Sequence, residues 1–350
     1  MLQLPLDAFT DEYLPEVVID REEEKQIIKE YLQDVLKGRK KVLYIHGVPG
    51  IGKTTVTKHI VSQFEDSYNA EVIYVNSECS TPNEALKRIH DLICGEVERK
   101  LPSSILVNKI LNKGIKEKDF TLVIVLDNFD KMEHVDNLLW NINAIAPKFP
   151  RLGLILISTS ELKLRNIIGN RLYDRLNPES YEFRPYNAER LYEIINARTS
   201  EAYDRKIAED EALLELCSFV ADNGGNVRYL FSLFLDALDL AQHRELKKIT
   251  LEAVQEIIQK EKRSKIKNSL KELSQNELEV LKVIAKLTVE GKVIHTGLVK
   301  EAMKSMPLRT LEYCLKNLQE KRFIELKRIK KGNGYSQSIN LIIEPNLVLK

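Results

Sequence analysis

Residues 47–54 read Gly-Val-Pro-Gly-Ile-Gly-Lys-Thr and fit the pattern G-x-x-x-x-G-K-[ST]. The apolar run KVLYIH leads into it, and residues 54–64 behind it carry apolar side chains at helical spacing. A loop between such a strand and such a helix wraps backbone N–H groups around phosphate oxygens, an approach that a Cβ at the glycine positions would obstruct. The helix start adds the positive end of its dipole. Val48, Pro49, Gly50, Ile51, Gly52, Lys53, Thr54 and Thr55 are therefore the expected nucleotide contacts. In such a loop Lys53 reaches the β and γ phosphates as a point charge and the Thr54 hydroxyl ligates Mg²⁺. The plain alternative is a glycine-rich turn without a ligand.

This loop commits the first part of the chain to an α/β fold, and the rest of the pattern agrees. A helix is expected over residues 22–36, strands at KKVLYIHGVPG (a run ending in glycine), AEVIYVNSE, TLVIVLDN and LGLILISTS, and helices between them over 54–64, about 83–98 and around Trp140. Strands alternating with helices give a parallel sheet with flanking helices. After Pro185 the pattern holds no convincing strand, only helical segments at 188–198, 210–222, 226–242 and 251–262. These form a helical lid domain. Residues 261–271, EKRSKIKNSLK, suit a charged linker or a solvated helix end. Beyond it Ser274 caps a helix running to Leu287, two more helices fit 295–304 and 308–321, and FIELKRI and SINLIIE read as strands around a polar tip at 330–337. Three helices and a hairpin are in winged-helix order. The expected domains are 1–184, 185–267 and 268–350.

Composition matters through its distribution. The 53 basic and 52 acidic side chains nearly cancel, yet residues 268–350 hold 15 Lys and Arg against 9 Asp and Glu, so a net charge of +6 is segregated in the last domain. The four cysteines stand far apart without a C-x-x-C pair, which argues against a zinc site or disulfide framework. No apolar run is long enough to span a bilayer and the first residues lack a leader pattern. The expected location is the cytoplasm, associated with the nucleoid, with no membrane partner.

LVIVLDNFD ends a strand with Asp127, placed to serve as the metal-side carboxylate beside Thr54. Asn128 follows, and an amide cannot take a proton from an attacking water. Asp130 either acts through water or caps the next helix.

Together these residues resemble the AAA+ ATPases of the origin-recognition and replication-licensing initiator type, especially their archaeal single-chain members, and the likeness spans almost the whole chain. It rests on the phosphate loop and Asp127, on residues 11–16 with Arg21-Glu22, on residues 185–189 with Tyr186 at the lid, and on Gly225-Asn226-Val227-Arg228. The resemblance implies an AAA+ P-loop fold with a helical lid and a C-terminal winged helix. It implies ATP or ADP with Mg²⁺ as cofactors, Tyr13, Leu14 and Pro15 beside adenine, and Arg228 reaching the γ-phosphate from the lid. Thr159 stands where the family has a sensor asparagine, and Arg171 stands near the position of an arginine finger, with Arg165 and Arg175 as neighbours that could take that role. Asn128 and Thr159 both depart from the family pattern at groups that handle the hydrolytic water, so hydrolysis is expected to be slow or impaired.

The family's initiator-specific insertion corresponds to residues 80–104, where Lys87, Arg88, Arg99 and Lys100 are either DNA contacts or helix-surface charge. In a winged helix the third helix enters the major groove and the hairpin tip grips backbone or minor groove. Leu308, Leu311, Leu315 and Leu318 form an expected buried stripe, which leaves Arg309, Thr310, Lys316 and Asn317 for DNA, joined by Lys330, Lys331, Asn333 and Tyr335 at the tip. Solvated surface charge is the alternative. The leading expectation is an ATP-binding initiator on double-stranded origin DNA, with other initiator subunits and the replicative helicase as implied partners. A DNA-binding transcription regulator on the same scaffold, or a signalling or defence ATPase meeting proteins, are the competing readings.

Overall fold

Strand β3 (Thr121–Asp127) has all seven residues buried, as a strand covered on both faces must. In the computed structural model it lies within a five-stranded parallel sheet of order β2-β3-β4-β1-β5, with β1 Lys41–His46, β2 Ala70–Asn76, β4 Arg151–Ile157 and β5 Glu179–Glu182. The structure describes residues 6–10, 13–15, 17–39, 41–77, 80–96, 101–113, 120–159, 164–203, 205–331 and 334–349. The chain divides into two compact units, Met1–Val254 and Gln255–Lys350.

Helices cover both faces of the sheet because each strand alternates its apolar side chains between them. Leu122, Ile124, Leu152 and Leu154 join the core formed with α3 (Pro82–Cys94), α4 (Ser103–Lys113), α5 (Val135–Ile145), α6 (Leu164–Ile168) and α7 (Asn170–Leu176). On the opposite face α1 (Glu22–Leu36) lies so close over Gly153 that a Cβ there would come 3.0 Å from Val35, and the Tyr31 hydroxyl donates to the Leu154 carbonyl at 3.0 Å. Helix α2 (Lys53–Ser67) starts at the end of the phosphate loop. The carboxyl ends of β1, β3 and β4 therefore deliver Gly47, Asp127 and Thr159 to one edge, where open α/β sheets bind ligands.

The lid of the first unit consists of α8 (Ala188–Ala202), α9 (Asp210–Asp222) and α10 (Val227–His243), and α11 (Leu251–Lys271) follows. Asn187 and Asn226 cap α8 and α10 by accepting from the backbone N–H of Arg190 and Tyr229. The sequence pattern and the structure differ in several places. Strand β5 has no apolar run to announce it, being an edge strand with burial confined to Tyr181. The helix expected near 83–98 is α3, which ends at Cys94, and a further helix, α4 from Ser103, is not among those expected. The charged stretch 261–271 continues α11 as helix.

The second unit holds α12 (Gln275–Val289), α13 (Thr296–Ala302), α14 (Leu308–Glu320), the antiparallel pair β6 (Ile324–Lys331) and β7 (Gly334–Leu341), and α15 (Pro345–Leu349). Three helices and a wing pack around Leu281, Ile284, Leu311, Leu315 and Leu318. Leu308 does not join this stripe. It is the first residue of α14, is 51% exposed, and Cys314 takes the inward place instead. The hairpin is tighter than expected, with Lys330 opposite Tyr335 and Lys331 opposite Gly334, while Asn333 lies outside the described residues.

Glu277, only 4% exposed, ties this unit together. It closes a capping box with Ser274 and accepts from the Asn317 amide at 3.0 Å and from Lys321. Burial alone would raise its pKa, but the Ser274 backbone, Asn317, the Ser274 hydroxyl and Lys321 together bring it down to about 2. A carboxyl whose pKa is depressed by folding contributes stability above its unfolded pKa and loses it as pH falls toward the folded one. The contribution, on the order of 3 kcal/mol, should therefore disappear between about pH 5 and pH 2, and chemical denaturation of Glu277→Gln should show a shallower acid dependence than wild type across that window.

Candidate nucleotide-binding site

The loop between β1 and α2 is shaped by what crosses over it. Gly50 has φ +73°, and a Cβ on it would lie 2.0 Å from the Asn226 side chain of the lid, so only glycine fits. Its carbonyl accepts from the Val227 N–H at 2.8 Å. Lys53 is 4% exposed, and its ammonium donates to the carbonyls of Gly47 and Val48, both at 2.8 Å. Burial lowers its pKa to about 8, with the Asp127 charge opposing that fall and Arg228 adding to it. A cation so placed meets a phosphate group readily, because anionic oxygens both restore its preference for the charged form and accept its protons.

Asp127 completes this end of the site. Its Oδ2 accepts from Thr54 Oγ1 at 2.9 Å and from the Tyr74 hydroxyl at 2.5 Å. Burial first, and then the adjacent carboxylate, push the Tyr74 pKa up, so the phenol stays a donor. Oδ1 of Asp127 is buried and has no hydrogen-bond partner among the described residues. An orphaned carboxylate oxygen beside a hydroxyl is a hard oxygen donor set that fits Mg²⁺.

Arg21 joins the loop to the lid. It is 5% exposed, pairs with Glu24 at 2.5 Å, and donates to the carbonyls of Ile51 at 3.2 Å and Arg184 at 2.7 Å. Its guanidinium lies 3.8 Å from the centre of the Tyr186 ring. Tyr186 is in turn held by Gly225, where φ is +58° and a Cβ would fall 2.2 Å from the Tyr186 carbonyl oxygen.

A cavity opens between these parts. At its phosphate end it is lined by Gly50, Gly52, Lys53, Thr54, Thr55 and Arg228, with Asn128 and Thr159 beside them. At its far end stand Tyr13, Pro15, Val18, Ile194, Arg198 and Phe231. The structure thus brings together most of the residues expected at the site. Leu14 is 43% exposed and does not line the cavity, and Ile51 is fully buried, with only its carbonyl engaged by Arg21. Val48 contributes the carbonyl that holds Lys53, and Pro49 does not line the cavity. Asn128 adopts the left-handed conformation, φ 52°, as the cap of a 3-10 turn over Phe129–Lys131. Asp130 lies inside that turn and caps neither it nor α5, which begins after His134; its buried Oδ1 is without a hydrogen-bond partner among the described residues. Arg171 is exposed on α7, its guanidinium 5.6 Å from the Trp140 ring centre, and Arg175 reaches the same ring at 5.2 Å. Arg165 pairs with Asp174 at 3.0 Å.

Sequence reading missed the lid side of the far end. Arg198 is 9% exposed, 4.4 Å from the Tyr13 ring centre, and Tyr13 donates to Glu201 at 3.1 Å across 188 positions of chain. Nothing local marks such a pairing. Tyr74 carried a legible signal: β2 and β3 pair Asn76 with Asp127, and alternation puts Tyr74, two residues earlier, on the same face.

In the second unit Arg309 and Lys316 are exposed on α14 and Thr310 is half-buried, while Lys316 is 3.7 Å from Glu320. Asn317 does not project with them, since its amide is spent on Glu277. Lys330, Lys331 and Tyr335 lie in β6 and β7 at the hairpin end. In the insertion, Lys87 pairs with Asp91 at 3.1 Å and Arg88 donates to the Tyr74 carbonyl at 3.5 Å, whereas Arg99 and Lys100 lie outside the described residues.

Residues 36–165 match the family model described as an AAA domain. The chain is 24% identical to the ORC1-type DNA replication protein 1 of Sulfurisphaera tokodaii over 97% of its own length and 90% of that protein. Its fold is similar to that of the Aeropyrum pernix ORC1 protein in complex with DNA (TM-score 0.61, 21% identity, 97% and 94% of the two chains). It is equally similar to Cdc6p of Pyrobaculum aerophilum (TM-score 0.63, 18% identity, 97% and 96%). This likeness runs through core, lid and C-terminal helices alike and is not confined to the phosphate loop, so the chain has the fold of the archaeal Orc1/Cdc6 type of AAA+ protein and is similar in sequence to the ORC1-type DNA replication proteins along almost its whole length.

Proposed function

We propose that the chain is a replication initiator that holds ATP or ADP with Mg²⁺ between its core and lid and binds duplex DNA, turning nucleotide over slowly. The observation that carries this reading is the cavity itself. Lys53 and Thr54 from the loop, Asp127 behind them and Arg228 from the lid surround one end, and aromatic and aliphatic side chains line the other. A triphosphate and a purine need opposite environments, and the cavity offers both in that order. The S. tokodaii relative is a DNA replication protein, and the A. pernix protein was seen in complex with DNA, which supports the DNA part.

In this reading Mg²⁺ is held by Thr54 and Asp127 and supplies charge neutralisation of the phosphates. Lys53 leaves its loop carbonyls for phosphate oxygens. Asn128 orients water through its amide but removes no proton, and Thr159 offers a hydroxyl with shorter reach than an asparagine amide. Holding is therefore favoured over turnover. Arg171 and Arg175, gathered on Trp140, present cations to the nucleotide of a neighbouring subunit. On DNA, Arg309, Thr310 and Lys316 of α14 read or grip the major groove, with Lys330, Lys331, Asn333 and Tyr335 at the wing.

Lys53→Ala should weaken ATP and ADP binding by about ten- to a hundredfold, the worth of a charge-assisted contact of roughly 1.5–3 kcal/mol. Equal retention by wild type and variant in a filter assay would remove Lys53 from the site. Asn128→Glu should speed single-turnover hydrolysis, by up to about 10²- to 10⁴-fold where the carboxylate acts as base; brisk wild-type turnover contradicts this reading. DNA affinity should fall with salt by about 0.9 log units per log unit for each phosphate neutralised, and Arg309→Ala with Lys316→Ala should flatten that slope. A salt-independent affinity would instead support a protein-binding role for the second unit.

A further inference from the structure

The Asp127 carboxylate is held by two hydroxyls on the same oxygen. Thr54 belongs to the phosphate loop and its presence there is accounted for. Tyr74 is not part of the loop, the lid or the cavity lining, yet its hydroxyl reaches Oδ2 at 2.5 Å. Packing does not explain this hydroxyl, since phenylalanine would fill the same volume. Lys58 of α2 places its ammonium 4.9 Å from the ring centre, and the Tyr74 carbonyl accepts from Arg88. The result is a donor on a sheet strand aimed at one oxygen of a buried carboxylate whose other oxygen has no partner among the described residues.

The last torsion of an aspartate is soft and nearly two-fold, so an unsupported carboxylate samples orientations in which neither oxygen is consistently available. Removing an outer hydrogen bond that fixes a ligating group typically costs about ten- to a hundredfold in metal affinity. We propose that Tyr74 is a positioning residue for the metal side of the site: by donating to Oδ2 it fixes the rotation of the Asp127 carboxylate and leaves Oδ1 as the oxygen that serves Mg²⁺. Tyr74 touches neither nucleotide nor metal in this role. The inference rests on the reading of Thr54 and Asp127 as the Mg²⁺-binding pair.

The test is a comparison of full-length wild type and Tyr74→Phe by binding of a fluorescent ADP analogue, first in EDTA and then as MgCl₂ is titrated in. Both proteins should bind the analogue equally in EDTA, where the carboxylate has no ion to hold. The MgCl₂ concentration giving half of the metal-dependent gain should rise by about ten- to a hundredfold in the variant. Superimposable Mg²⁺ titrations overturn the inference. So does an equal loss in EDTA, which marks a general role in shaping the site, and so does a variant that no longer folds by circular dichroism, because a positioning hydroxyl is dispensable to the core. Wild type that binds the analogue without any response to Mg²⁺ defeats the metal assignment itself, and wild type that binds no analogue defeats the proposed function; either is visible before the variant is measured.

Discussion

The bond from the Val227 N–H to the Gly50 carbonyl, 2.8 Å long, is the seam on which the first unit is organised. It joins the start of α10 to the middle of the phosphate loop, two segments separated by nearly the whole core and half of the lid. Its geometry demands glycine at 50, because the Asn226 side chain occupies the space of a Cβ. That same Asn226 caps α10, so one residue both starts the helix that carries Arg228 and covers the loop that carries Lys53. The loop and the lid are therefore joined directly by backbone, without any side chain between them. Arg21 adds a second strut, bonded to the Ile51 carbonyl on one side and stacked on Tyr186 on the other. A buried guanidinium is costly unless its donors are used; here Glu24 and the carbonyls of Ile51 and Arg184 accept from the two terminal nitrogens, while Nε has no hydrogen-bond partner among the described residues.

Those parts of the fold that depend on local burial were legible in the sequence. Strands β3 and β4 are covered on both faces and so are written as nearly unbroken apolar runs, while β2, at an edge, still carries enough apolar side chains to be read. Ser274 with Glu277 three residues later announced the start of α12, and Asn226 sat where α10 is capped. Strand β5 was invisible because it lies at an edge with mostly exposed side chains, held by backbone pairing to β1. Of the two readings open for the charged residues 261–271, a linker or a solvated helix end, the structure shows the helix end, since the lysines and arginine there are good helix formers and carry α11 on to Lys271.

At the site, the loop chemistry was legible because phosphate imposes a fixed pattern on contiguous residues. The lid side of the far end was not, since Arg198, Glu201 and Phe231 come from segments distant from Tyr13 and Pro15 and each has an ordinary reason to be where it is in its own helix. Asn317 illustrates the opposite error. Its position on α14 suits base reading, but the capping box at Ser274 leaves Glu277 with acceptor capacity to spare, and the nearest amide takes it. A residue's place on a helical wheel says which way it leaves the axis and says nothing of the acceptor waiting there.

The water-handling residues follow from the same kind of competition. Asn128 occupies a left-handed conformation that asparagine tolerates better than glutamate does. Glutamate at 128 would gain a base and lose conformational ease, so the backbone at the end of β3 and the chemistry at that position pull in opposite directions. Asp130 cannot relieve this by capping, because the turn over Phe129–Lys131 places it inside and not at an end, with one oxygen buried and unbonded among the described residues. Asp130 thus sits inside the turn, two residues beyond Asn128, while the adjacent Asp127 accepts from Thr54 and Tyr74. Asn128 is therefore flanked by one carboxylate held by two hydroxyls and another enclosed in the 3-10 turn, and the end of β3 is shaped by backbone conformation as much as by side-chain chemistry.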